Sequence, residues 1–170
     1  NSDYRYRQVA LGGTDTVEWR FTGLVPGQEY FLSASWKGAP YRIDAPFTVS
    51  DGGGATLEQL TVNQVEASDD FFADDIGWEL LDADTSTPEI DPFVLDAGED
   101  TLIVQLSNGV TASPDRAYYV VADAVRIDTS DPGGTAAPAP SPAPVPPPTP
   151  TTGPLVIDNG DPGFEVLPGS

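Results

Sequence analysis

Glu29-Tyr30-Phe31-Leu32-Ser33-Ala34-Ser35-Trp36-Lys37 sets Tyr30, Leu32, Ala34 and Trp36 at every second position of a nine-residue run. A period of two puts those side chains on one face of an extended strand, whereas a helix would scatter them around its axis. The stretch reads as a β-strand with one face buried. Upstream, Thr16–Thr22 repeats the pattern, with Val17, Trp19 and Phe21 on one side and Glu18 and Arg20 on the other. Pro26-Gly27 turns between these two strands, and Gly12-Gly13-Thr14-Asp15 turns back toward an alternating run over Tyr4–Ala10.

Downstream, Ala45–Ser50 and Thr56–Val65 flank Asp51-Gly52-Gly53-Gly54, a hairpin signal. Glu66–Asp75 breaks the rhythm with Asp69, Asp70, Asp74 and Asp75 around Phe71-Phe72 and reads as a long acidic loop. Ile76–Ala83 and Phe93–Leu95 resume strands on either side of a loop bracketed by Pro88 and Pro92. Thr101–Leu106 and Tyr118–Ile127 are the most apolar strands, with Asn108-Gly109 turning between them. No segment combines helix caps with a 3.6-residue period. Some eight strands at short spacings predict an all-β domain, a β-sandwich or jelly roll, over residues 1–131.

Composition narrows the partners. Seven basic residues face twenty-seven acidic ones, a formal charge of −20 in 170 residues. Such a field repels nucleic acid and anionic membrane surfaces, so neither is an expected partner. Cysteine and histidine are absent, which removes disulfides, thiolate metal sites and the usual general base. No run approaches the roughly 20 apolar residues of a membrane-spanning helix. A chain without methionine that opens at Asn1 within a polar run reads as a mature or excised segment.

After Asp131-Pro132-Gly133-Gly134 the composition changes. Residues 132–153 read as a proline-rich linker, and Pro138–Pro154 holds nine prolines in seventeen residues. The expected conformation is polyproline II, which at about 3.1 Å per residue spans on the order of 50 Å. Beyond it stands Pro154–Ser170, PLVIDNGDPGFEVLPGS, a strand, a turn and a second strand. A two-stranded piece cannot hold a fold alone, so Leu155, Val156, Ile157, Phe164, Val166 and Leu167 must pack on another body. The stiff spacer favours the body of a neighbouring copy over the chain's own.

The order Tyr4-Arg5-Tyr6, Val17-Glu18-Trp19-Arg20-Phe21, Pro26-Gly27-Gln28-Glu29-Tyr30, Ser35-Trp36, Ala45-Pro46-Phe47-Thr48-Val49, Val62-Asn63-Gln64, Gly77-Trp78 and Val121-Ala122-Asp123-Ala124-Val125-Arg126 resembles the golvesin carboxy-terminal domain family. The resemblance implies a β-sandwich module of secreted and surface bacterial proteins, xanthan-lyase-type enzymes among them. Members of that family open with a segment like Val156-Ile157-Asp158-Asn159-Gly160-Asp161-Pro162-Gly163-Phe164, which here stands at the end. The order is thus that of a circular permutation. Tandem repeats, or subunits that each lend a terminal segment to the next, would both produce it, and both contacts are head to tail and open. Ile127-Asp128-Thr129-Ser130-Asp131-Pro132-Gly133 echoes the same opening. The stretch that such modules carry between their opening strand and the Tyr4 region is short here.

Chemistry offers less. Among twenty-seven carboxylates some pair is close by chance, the serines lack a histidine partner and Lys37 is the only lysine, so no catalysis is expected. No cofactor is required; the candidate calcium ligands are Asp158 and Asp161 in one turn and Asp69 and Asp70 in the acidic loop. Trp36, Tyr41, Trp78 or Tyr118 could stack on a sugar, and Ser141, Thr149, Thr151 and Thr152 among the prolines are candidate O-glycosylation sites. No Asn-x-Ser/Thr acceptor occurs. The expected protein is a structural, non-catalytic subunit or tandem repeat of an extracellular bacterial filament at the cell surface. Neighbouring copies of itself are its partners, and Leu155–Leu167 completes the next copy's sandwich. The alternative is a carbohydrate-binding or spacer module of a larger secreted protein that acts on polysaccharide.

Overall fold

Alternating side chains give strands, and the strands are joined by tight turns wherever glycine or aspartate permits a left-handed backbone. The computed structural model describes residues 4–83, 90–111 and 117–133, together with the backbone of 155–158 and 164–167. In chain order the strands are β1 (Arg5–Gln8), β2 (Ala10–Leu11), β3 (Thr16–Thr22), β4 (Glu29–Ser35), β5 (Asp44–Asp51), β6 (Thr56–Asn63), β7 (Phe71–Ala73), β8 (Ile76–Leu81), β9 (Phe93–Val94), β10 (Thr101–Ser107), β11 (Gly109–Val110), β12 (Tyr119–Ala122), β13 (Ala124–Asp128), β14 (Leu155–Asp158) and β15 (Phe164–Leu167). No helix occurs among the described residues, and the fold is all-β, as predicted.

Two main sheets form the sandwich. One runs β15-β3-β10-β5-β6; the other runs β14-β13-β4-β8-β7, with β9 added to β4. Every pairing within them is antiparallel. Between the sheets lie Val17, Trp19 and Phe21 of β3, Leu102, Val104 and Leu106 of β10, and Phe47 and Val49 of β5. Leu32 and Ala34 of β4, Val125 and Ile127 of β13, Trp36 and Leu81 meet them from the other side. The Asp51–Gly54 turn closes as expected: Asp51 Oδ1 accepts from the Ala55 N–H at 2.8 Å, and Gly54 has φ +90°.

Four readings of the sequence change. First, Glu66–Asp75 is only partly a loop: Phe71–Ala73 is a strand, and Asp74 and Asp75, at φ 53° and 64°, make a two-residue turn into β8. Positive φ at both central positions is the geometry whose twist suits a hairpin, and aspartate tolerates it.

Second, Tyr118–Ile127 is not one strand. It breaks at Asp123, so that β12 pairs with β1 in a separate ribbon while β13 enters the second sheet. Third, Asn108-Gly109 is no simple turn. Asn108 is buried; its Oδ1 accepts from the Asp15 N–H and its Nδ2 donates to the Gln8 carbonyl, while β11 lies parallel to β2. Fourth, the two tail strands do not pair with each other. Each joins a different sheet.

Candidate strand-docking site

One side of the sandwich is made by the tail. β14 is the edge of one sheet and β15 the edge of the other, so without them β13 and β3 would be the edges. In register, Leu155, Val156, Ile157 and Asp158 stand across from Ile127, Arg126, Val125 and Ala124. Phe164, Glu165, Val166 and Leu167 stand across from Trp19, Glu18, Val17 and Thr16. Directly opposed residues of an antiparallel pair share a face. The positions of Ile157, Leu155, Phe164 and Val166 thus match Val125, Ile127, Trp19 and Val17, all of them core residues.

What such a site can do is add main chain to main chain. An exposed strand edge offers a row of N–H and C=O groups that any strand of matching apolar period can satisfy. In the single chain the chain's own tail occupies both slots. The slots themselves are defined by β3 and β13, whichever copy supplies the strand.

Buried polar groups stiffen both edges. On β3, Glu18 is buried and its carboxylate accepts from Arg20 Nη2 at 2.7 Å and from Gln105 Nε2 of β10 at 2.9 Å. On β13, Arg126 and Asp128 form a two-pronged pair at 2.6 and 2.9 Å, both side chains largely buried. That hydrogen bond raises the Arg126 pKa against the opposing effect of burial. The guanidinium also lies 5.8 Å from the Phe71 ring and 5.9 Å from the Trp78 ring. Position i and i+2 share a face, so this cluster covers the outer surface of the second sheet. Gly133 runs over the same surface: a Cβ there would come within 3.0 Å of Leu80 Cδ1.

The other expected site residues divide by location. The side chains of Leu155, Val156, Ile157, Phe164, Val166, Leu167 and Asp158 lie outside the described residues, as do Asp161, the spacer positions 134–154, and Ser141, Thr149, Thr151 and Thr152 within it. Asp70 caps backbone: its Oδ2 accepts from the Leu80 N–H at 2.8 Å. Among the described residues no cluster of three or more carboxylates is arranged to hold a metal ion, so Asp69 and Asp70 are not brought into one.

Trp36 and Trp78 are buried and unavailable for sugar stacking, whereas Tyr41 is 54% exposed. Trp36 faces the core, with its Nε1 donating to the Glu66 carbonyl at 2.7 Å. One residue's structural role had no signal in the sequence. Gln64, fully buried, donates from Nε2 to the Val121 carbonyl at 2.8 Å and accepts at Oε1 from the Val121 N–H at 2.7 Å. It acts as a one-residue strand that ties the end of β6 to β12.

No protein-family model matches the chain, and neither does any curated protein or solved structure.

Proposed function

We propose that the chain is a structural subunit or tandem repeat of a filament, joined head to tail by donation of β14 and β15 to the β13 and β3 edges of the next copy. The observation supporting this is the position of the spacer's two ends. Leu155 pairs beside Ile127 on β13, and Gly133 lies against Leu80 on β8, so both ends of residues 134–154 meet the same sheet. β14 and β8 are three strand spacings apart, about 14 Å. A segment of this composition, drawn out as polyproline II, spans on the order of 50 Å or more. Closing it over 14 Å, as the tail's pairing with its own body in the single chain demands, works against the extended backbone that proline favours. Reaching a neighbour does not. The contact is heterologous, so it propagates as an open chain of copies.

The extracellular bacterial setting follows from the golvesin-like order of motifs and from a charge of −20, which suits a solvated exterior. The test is the mass of the full chain as a function of concentration. Sedimentation should show species that grow with concentration, with filaments by electron microscopy. Replacing residues 134–153 by an equally long glycine-serine segment should shift the population toward monomer, because a flexible spacer closes on its own body at modest entropic cost. A chain that stays monomeric at millimolar concentration, and whose melting is unchanged when 154–170 are removed, would overturn the proposal.

A further inference from the structure

We infer that Tyr6, Tyr41 and Tyr119 form a docking surface for the proline-rich spacer of a neighbouring copy. The inference deepens the filament reading and rests on it for the source of the spacer. The three rings are one array. Tyr6 and Tyr119 lie 5.6 Å apart between centroids at 81°, and Tyr119 and Tyr41 lie 6.3 Å apart at 87°. Tyr119 therefore packs nearly perpendicular to each of its two neighbours and joins them into one surface. Tyr6 is 67% exposed and Tyr41 54% exposed, an unusual outlay of aromatic surface on a sandwich that buries all three of its tryptophans.

The array is held rigidly. β1 pairs with β12 so that Gln8 opposes Tyr119, which makes Tyr6 the diagonal neighbour of Tyr119 on the same face. Tyr41 is fixed from the other side: its carbonyl accepts the Tyr119 N–H at 3.1 Å, and Arg42 bridges to Tyr119 in parallel. The Arg42 guanidinium, itself buried, lies 5.5 Å from the Tyr4 ring.

Exposed aromatic rings set at angles to one another are what polyproline II segments dock against. The extended backbone is already ordered, its carbonyls are free to accept from tyrosine hydroxyls, and its rings present flat apolar faces. Two prolines three residues apart stand one turn apart, about 9 Å. The two centroid spacings put Tyr6 and Tyr41 no more than about 12 Å apart, so a short run of such turns covers both rings. The chain supplies such a ligand: Pro144 and Pro147, and Pro147 and Pro150, are spaced i, i+3. Residues 134–154 contain no charged residue, so the acidic body does not repel them. A spacer of this length, drawn out, reaches past its own body to the next copy, where tethering gives it a millimolar effective concentration and makes weak contacts sufficient.

The test uses a full-length chain whose own spacer is replaced by glycine and serine, titrated with a synthetic peptide of residues 138–152. Saturable binding should be seen by tyrosine fluorescence or NMR shifts confined to Tyr6, Tyr41 and Tyr119. Changing the salt concentration should leave it unaltered, since the ligand is neutral. Tyr6→Ala or Tyr41→Ala should weaken it at least about tenfold, while Phe72→Ala at another exposed aromatic should not. Mixing a chain of native spacer carrying Tyr6→Ala and Tyr41→Ala with the glycine-serine chain should reproduce the shifts, which identifies the neighbouring copy as the source. No saturable binding, binding indifferent to both tyrosine variants, or binding of an oligosaccharide but not of the peptide would overturn the inference. Peptide binding by a chain that never polymerises would refute the filament and the neighbour as source while leaving the docking chemistry standing, so the two failures are distinguishable.

Discussion

Replacing Gln64 by leucine should cost more than almost any other single polar substitution in this domain. The leucine fills nearly the same volume, but it leaves the Val121 N–H and C=O without their partners at 2.7 and 2.8 Å. Gln64 is fully buried and Val121 is 2% exposed, so water cannot replace the lost bonds. A buried unsatisfied backbone group costs about 1–3 kcal/mol, which gives roughly 2–6 kcal/mol for two. Removing the glutamine's own buried amide offsets part of this, leaving about 2–4 kcal/mol, against a total of about 5–15 kcal/mol for a domain. In urea, with an m value of about 2 kcal/mol/M, the midpoint should fall by about 1–2 M at unchanged m. Gln64→Glu provides a second arm. Its protonated carboxyl can reproduce both bonds, but the carboxylate sets an oxygen against the Val121 carbonyl in a dry site. Burial raises the folded-state pKa of such a group, so this variant should lose stability as pH rises from the unfolded value upward, while Gln64→Leu should show no added pH dependence. A Gln64→Leu midpoint equivalent to less than about 0.5 kcal/mol from the parent would show that Gln64 does not tie β6 to β12.

Two further outcomes follow from the β7–β8 region. Gly77→Ala should destabilise by about 1–3 kcal/mol in thermal or chemical unfolding, because a Cβ at Gly77 would sit 2.1 Å from the Ser68 carbonyl oxygen and only backbone movement relieves that. The Glu79 pKa is raised, chiefly by burial and next by the nearby Asp70 carboxylate. A raised folded-state pKa means that ionising Glu79 costs stability as pH rises from its unfolded pKa through its folded one. Glu79→Gln should therefore match the parent below that window and exceed it at neutral pH, in denaturation measured at both ends; an equal gain at acid and neutral pH would refute the assignment.

Much of the sandwich was legible because its strands are half-buried. The apolar positions of Thr16–Thr22 and Glu29–Ser35 alternate in sequence, and the glycines after Asp51 leave only a turn there. The break at Asp123 was not legible, since Tyr118–Ile127 is apolar apart from Asp123 and Arg126 and no proline or glycine marks the point where one strand leaves its sheet for another. β7 was hidden because Asp74-Asp75 looks like a solvated acidic run rather than a hairpin turn, in which Asn-Gly is the common solution. Gln64 was hidden because an amide replacing a strand partner has no pattern in one dimension. The tail was legible as two strands. Their separation onto two sheets was not, since a five-residue connection serves a hairpin and an arch between sheets equally well.

That separation changes what the tail contributes. A hairpin added to one edge would leave the other sheet open along β3 or β13, and either strand would then be a template for uncontrolled pairing. One strand placed on each sheet closes both edges of the same side. Each four-residue strand is short for independent pairing, yet the five intervening residues tie the two, so docking of β14 raises the local concentration of β15 at its own edge. A body without the tail strands therefore exposes two edges rather than one. The same coupling makes single apolar changes in either β14 or β15 act on both contacts.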